Sequence, residues 1–513
     1  MTYNEQTGNK KRIAKNTFVL YARSILVMVI ALYTSRIILS ALGAEDFGLY
    51  NVIAGVVGLF LFLRTAMEKC TQRFLNVEMV RGTDRLKDTF SVSLTIHLLI
   101  ALFAFLLTET IGLWFLNYHV NIPEGREFAA NCVYQAAVIG LSFTICTIPF
   151  SACIIAHEKM GFFAFVSIAD AFLNLAAALT ISLSGNDHLI FYSICVLIVN
   201  ALNFLAYLLY CMRKFEEVTI KVLWEKSLIK QMLDYIGWTL FGHTLIIATN
   251  QGNIILVNQF FGVTVNAAMA IASQVNRAVL NFTNNFQTAF NPQITKSYAA
   301  QDFVFLRSLV YGTTKISYFL LTIISMPLIF NLNMILDFWL TEVPQYTAEF
   351  CILMIVSGIL QASSSPLNFC VMSSGNIKAF QIATGLVFVS DLFILYALFS
   401  AGMPPVTAMY LKSAIMLIVF GVRLHYARKI IPTLTIKSYL HNIAFPLLTS
   451  TALSIVVVIF LMQYVNTLFT HIVSIPLIAG ITASSAYLIG LSKEERAQTI
   501  AFVKKMRKKI QHD

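Results

Sequence analysis

The chain has 513 residues, of which 58% are hydrophobic and 12% charged, with a mean hydropathy of +0.75. Soluble domains carry about 25% charged residues, so this composition excludes a soluble globular protein and points to an all-α, polytopic membrane protein. The net charge of +11 does not indicate a nucleic-acid partner, because Lys and Arg sit in short clusters between apolar runs, as in cytoplasmic loops of membrane proteins.

The basic start (Lys10, Lys11, Arg12, Lys15) leads directly into an apolar run without a small-residue cleavage site, so no cleaved signal peptide is expected. Runs of spanning length, about 20 residues, predict about fourteen transmembrane helices. They lie at 17–40, 47–63, 89–110, 129–152, 161–183, 188–211, 234–258, 267–290, 308–330, 347–370, 379–399, 404–422, 441–463 and 469–490. With the N-terminus inside, all but six of the 36 Lys and Arg fall in cytoplasmic segments. Arg23, Arg36, Arg277, Lys315 and Lys412 fall within spans, and only Arg126 lies outside. Losing one span would invert every later loop and erase this asymmetry, so both termini are expected in the cytoplasm.

The cytoplasmic pieces 64–88 and 212–232 mix apolar and basic residues and are expected to lie in the interface as amphipathic helices. The tail 492–513, with Lys504, Lys505, Arg507, Lys508 and Lys509, reads as a solvated anchor or as a contact for anionic membrane lipids. Arg36-Ile-Ile-Leu-Ser-Ala-Leu-Gly43 resembles Asn253-Ile-Ile-Leu-Val-Asn-Gln-Phe-Phe-Gly262, each leaving a span at a glycine turn. Both spans are odd-numbered, so the repeat is parallel, which sets two lobes about an axis along the membrane normal. The expected organisation is an N-terminal lobe (1–212), a linker (213–232), a C-terminal lobe (233–437), an extra helix pair (438–491) and the basic tail.

The eighth span is polar along one side. At about 100° per residue, Gln274, Arg277, Asn281, Asn284, Thr288 and Asn291 fall within an arc of roughly 100°. Val275, Val279, Phe282, Phe286 and Phe290 occupy the other side. Lipid does not solvate such a stripe, since an arginine at a helix centre costs about 2.5–3.5 kcal/mol on insertion scales. The stripe therefore faces other protein or a water-filled cavity, and six polar positions with a guanidinium favour the cavity. In the preceding span His243 and Asn250 share a face, broadened by Thr249, Gln251, Asn253 and Asn258. Amides suit sugar hydroxyls, and a guanidinium fork suits phosphate oxygens.

Arg36, near an outer span end, snorkels or joins the binding residues; Arg23, deeper, has the same two readings. Lys315, near an inner end, is expected to snorkel. Asp170, with Asn174 one turn on, Asp391 and His243 are the titratable groups deep enough for proton coupling, each also having a structural reading. For Asp391 that reading is a pair with Lys412. Glu45 and Asp46 read as loop residues. No GxxxxGK[ST], HExxH or Cys/His cluster appears, and the eight cysteines read as small core residues. No metal, cofactor, catalytic residue or enzymatic activity is expected.

With these residues in place, the chain resembles the polysaccharide or O-antigen flippases of the multidrug/oligosaccharidyl-lipid/polysaccharide exporter superfamily. The resemblance rests on Asn16 to Arg23, on Tyr33-Thr34-Ser35-Arg36, and above all on Leu42-Gly43-Ala44-Glu45-Asp46-Phe47-Gly48-Leu49-Tyr50. It implies a MATE-like two-lobed bundle with a V-shaped cavity open alternately to either side, lined by spans one, two, seven and eight. It further implies that Arg23 and Arg277 meet a pyrophosphate, and that spans thirteen and fourteen form a groove for the lipid tail. Gly55 and Gly58 stand where lipid II flippases carry arginines in span two, which points away from lipid II as substrate.

The expected function is to carry an undecaprenyl-pyrophosphate-linked oligosaccharide from the inner to the outer leaflet of a bacterial inner membrane, with a polysaccharide polymerase as a possible partner. A multidrug or cation exporter of the same fold is the first rival. It would call for acidic residues in the cavity, where the central hairpin offers Arg277. A membrane polymerase or ligase is the rival from another class, and would need a larger external loop.

Overall fold

The computed structural model describes residues 3–497 except 59–60, 83–84, 121, 186, 341 and 494. The tail lysines and arginine at 504–509 thus lie outside the described residues. Sixteen α-helices account for most of the chain, and no strand occurs among the described residues. Among the described residues, twelve helical segments are long and apolar enough to cross a membrane.

Two of the fourteen expected spans are not separate among these twelve, and each adjoins its neighbour across a single residue. Helix α8 (Lys226–Ala299) has 74 residues and holds the expected seventh and eighth spans end to end. Unbroken, it would be about 110 Å long, far more than a bilayer core of about 30 Å. It breaks only at Gly262 (φ 80°, ψ −175°). Helix α1 (Tyr3–Gly58) breaks likewise at Gly43 (φ 78°, ψ 170°). These torsions lie in a region open essentially to glycine alone, so the two arms of the sequence repeat share one backbone device. The expected second span, 47–63, runs through residues 59–60, outside the described residues.

The chain divides into two compact units, Met1–Leu240 and Phe241–Asp513, with the division inside α8. Unit 1 contains α1, α2 (Leu61–Arg81), α3 (Arg85–Leu107), α4 (Leu113–His119), α5 (Glu127–Ala156), α6 (Met160–Thr180) and α7 (His188–Lys214). Its core gathers Leu75, Phe90, Phe150, Ile154, Val166, Tyr207 and Phe215. Arg126 joins two connections of this unit. It donates from Nε to Asp46 at 2.9 Å, just past the Gly43 break, and also pairs with Asp187. Asp187 caps α7 by accepting from the amides of Leu189 and Ile190. Asp46, expected to be a plain loop residue, is therefore half of a clamp.

The linker corrects another expectation. Residues 215–225 form a turn at 216–217 and irregular chain rather than an amphipathic helix. The run Val218-Thr219-Ile220-Lys221-Val222-Leu223 is rich in β-branched residues, which lose side-chain freedom in a helix. It lies against α3 instead, with Leu223 N donating to Thr95 Oγ1 (3.1 Å) and Ser91 and Thr219 hydroxyls 3.0 Å apart. In the piece 64–88, α2 is helical and buries one face, with Thr71, Leu75 and Asn76 fully buried, while Arg64 and Arg81 are exposed.

Unit 2 contains the rest of α8, then α9 (Phe303–Phe330), α10 (Leu332–Trp339), α11 (Thr347–Ser374), α12 (Lys378–Ser400) and α13 (Thr407–Ile430). The short α14 (Ile436–Tyr439) leads to α15 (Phe445–Met462) and α16 (Leu468–Ser485). Its core centres on Ala268, Leu336, Phe350 and Phe399. The last two long helices pack on α9 through Met326, Val458 and Ile478. Lys315 of α9 does not snorkel: it is buried and donates to both carboxylate oxygens of Glu495 at 2.8 and 3.1 Å. The charge finds a partner after α16, and a paired ammonium has no reason to reach for water.

Candidate functional site

The second arm of α8 separates its faces by helical period. Val279, Phe286 and Phe290 are buried, and the two phenylalanine rings pack with centroids 5.0 Å apart. Gln274, Arg277, Asn281 and Asn284 are exposed, with Thr288 and Asn291 half-buried toward the C-terminal end of the arm. The Thr288 hydroxyl returns to the carbonyl of Asn284 at 2.9 Å, which turns that end of the stripe toward its own backbone. Among the described residues, no hydrogen bond or ion pair engages Arg277. A guanidinium exposed on a helix of spanning hydrophobicity, uncovered by protein, requires water or an anionic ligand. The buried side also carries amides, but these are used internally: Gln287 donates to the carbonyl of Ala362 at 3.3 Å.

The first arm is less uniform than its periodicity indicates. Asn250, Gln251 and Asn258 are exposed, and His243 is half-buried. Thr249 and Asn253 turn the other way and do not belong to the open face. The Thr249 hydroxyl donates to the carbonyl of Phe388 on α12 at 3.1 Å, and Asn253 Nδ2 donates to Asp391 Oδ2 at 2.7 Å. Asp391 is only 3% exposed. Lys412 of α13 contributes a favourable charge interaction to it, while its Nζ donates to Asn250 Oδ1 at 3.5 Å. Lys412 thus stands between the carboxylate and an amide on the open face. This Asn250–Lys412–Asp391–Asn253 group links the exposed surface of α8 to a buried acid.

Unit 1 holds a smaller counterpart. Asp170 Oδ1 accepts from Asn203 Nδ2 at 2.6 Å and from Asn174 at 3.3 Å, and Arg64 adds a favourable charge. Arg23 is half-buried, donates to Ser167 Oγ at 3.3 Å and lies 5.1 Å over the ring of Phe163. Protein atoms already occupy much of its donor fork. Arg36 is exposed on α1. Sequence reasoning missed Arg423, placed just beyond the twelfth span. Helix α13 continues seven residues further, to Ile430, and Arg423 donates to Ser364 Oγ at 2.6 Å from within it.

No protein-family model matches this sequence, and no curated protein does. Solved structures do match. An outward-facing multidrug resistance MATE family transporter of the MOP superfamily aligns with a TM-score of 0.71, over 85% of this chain and 99% of that one, at 12% identity. The chain has the MATE fold. The Vibrio cholerae MATE transporter VcmN in its bent form aligns at 0.65, over 84% and 98%, with 14% identity. A MATE point variant aligns at 0.69, over 83% and 97%, with 12% identity. The expected all-α, MATE-like architecture is therefore the observed one. At these identities the likeness establishes the fold, and the site must be read from its own side chains. On this MATE fold the open polar stripe carries a cation, and each unit has one hydrogen-bonded carboxylate in its fifth predicted span, half-buried at Asp170 and buried at Asp391.

Proposed function

We propose that this protein is a membrane transporter that moves an undecaprenyl-pyrophosphate-linked oligosaccharide from the inner to the outer leaflet. The observation that carries this reading is the exposed stripe Gln274, Arg277, Asn281 and Asn284 on an apolar helix, with Arg277 free of protein partners among the described residues. The amides would meet sugar hydroxyls, and the guanidinium would take the pyrophosphate in bidentate fashion. Thr288, Asn250 and His243 extend the surface, and Arg36 and Arg23 supply further positive charge in unit 1. Coupling to a proton gradient, where present, would run through Asp391, Asp170 or His243. Asp391 is the best placed, because Lys412 connects its charge to Asn250 on the open face.

The second reading is a multidrug or cation exporter, favoured by what the structural neighbours are named. Against it, the stripe presents a cation where a cationic substrate would need a carboxylate, and Asp391 is enclosed by its own partners. The protein would sit in a bacterial inner membrane with both termini cytoplasmic, next to a polysaccharide polymerase and without nucleic acid. The deciding experiment is to delete the gene and follow the lipid-linked saccharide. Accumulation on the inner leaflet, reversed by the wild-type gene, supports the flippase. Normal surface polysaccharide with new sensitivity to organic cations establishes the exporter.

A further inference from the structure

Away from the stripe, in unit 1, α5 ends with Cys153 and His157 four residues apart and so on one face. Helix α7 ends close by with Cys211, and the chain beyond it brings Glu217 back. The Cys153 sulfur, a His157 ring nitrogen and a Glu217 oxygen all lie within 4.8 Å of one another. Cys153 Sγ is 3.7 Å from Glu217 Oε1, and His157 Nε2 contacts the same oxygen. Cys211 Sγ donates to the carbonyl of Phe150, three residues before Cys153, at 3.6 Å. Both cysteines are fully buried and Glu217 is 6% exposed. Phe215 stacks on the imidazole at 4.0 Å and 13°, which fixes the ring plane with Nε2 toward the carboxylate.

We propose that this cluster is a binding site for a transition metal of the zinc class, with Cys153, His157 and Glu217 as ligands and Cys211 beside them. Donor atoms around a tetrahedral zinc lie about 3.3–3.8 Å apart; the Cys153–Glu217 separation already fits, while the touching His157–Glu217 pair must open by about an ångström to admit the ion. Sulfur, imidazole and carboxylate together suit zinc rather than calcium or magnesium, which take oxygen shells. A carboxylate already paired with an imidazole gains little from one more weak thiol donor; a metal would use that sulfur fully. Binding would release the thiol proton of Cys153 and clamp the linker after α7 to α5. On the cytoplasmic side expected from charge, these thiols would stay reduced.

The test uses purified, untagged, reduced full-length protein stripped with a chelator and titrated with Co2+ as a spectroscopic probe. One equivalent should give a thiolate-to-cobalt band with tetrahedral d–d absorption, and Zn2+ should displace it. The band should vanish in Cys153→Ser, weaken at least about tenfold in apparent affinity in Glu217→Gln, and persist in Cys370→Ser, another buried cysteine. If Cys153→Ser does not fold, the wild type and Glu217→Gln still decide. No band in the wild type, or one that either ligand substitution leaves unchanged, overturns the proposal.

Discussion

Arg277 is where the residue scale decides most. A charge-assisted hydrogen bond contributes about 1.5–3 kcal/mol, or roughly one to two decades in affinity. Arg277→Ala should therefore cut surface polysaccharide at least about tenfold while the protein still inserts at normal levels. Arg277→Lys should retain part of the activity, because the charge stays and only the fork is lost. Normal export by Arg277→Ala in a quantitative surface-polysaccharide assay would end the substrate assignment. Arg126 supports a second prediction, on stability. Burial raises the Asp187 carboxyl, but hydrogen bonds from Arg126 and from the amides of Ile190 and Leu189 outweigh it, leaving it below the usual range. A depressed folded value stabilises the protein above the unfolded value, about 3.9. That stabilisation disappears as pH falls through the lower folded value. Wild-type Tm, read by scanning fluorimetry, should therefore fall between about pH 5 and pH 3 more steeply than that of Arg126→Gln. Equal slopes would show that the clamp does not matter. Much at this scale was legible. Residues 274–284 were placed by a 100° period alone, which is local information. The partners of Lys315 and Asp391 were not, because Glu495 and Asn253 lie 180 and 138 residues away and no period connects them.

At the scale of elements, the two glycine breaks carry the argument. Neither Gly43 nor Gly262 has a neighbour within 4 Å of where a Cβ would stand, so crowding is not what keeps them glycine. Backbone torsion is: a side chain at these values costs about 1–3 kcal/mol. Gly262→Ala should lower Tm and the yield of monodisperse protein by size-exclusion chromatography. Gly48→Ala, in helical backbone with the same open space, should not. If the two variants behave alike, the break does not depend on glycine. The sequence repeat pointed to these turns, but not to the continuity of helix on either side, since a single unusual residue leaves no stretch of loop composition. The linker misled for the opposite reason. Its apolar and basic mixture suits an interfacial helix, yet the β-branched run from Val218 to Val222 contained the better clue.

For the whole molecule, composition and charge were the most informative signals, because crossing a bilayer constrains every span at once. The orientation they imply is open to direct measurement. The eight native cysteines are buried or half-buried, so new exposed ones can be read against the parent. Gln345→Cys and Gly402→Cys should react with a membrane-impermeant maleimide applied to intact cells, whereas Gln301→Cys and Asn376→Cys should react only after permeabilisation. Reversal of both members of either pair would overturn the topology. One local contact also says how the gene tolerates being cut short. A stop codon after Arg496 keeps Glu495 and should yield stable protein, while one after Leu491 removes it and strands the buried ammonium of Lys315. The shorter product should be cleared by cellular proteases, and Lys315→Met should restore its abundance on an immunoblot. Five codons near the 3′ end would then separate a dispensable extension from one the fold requires.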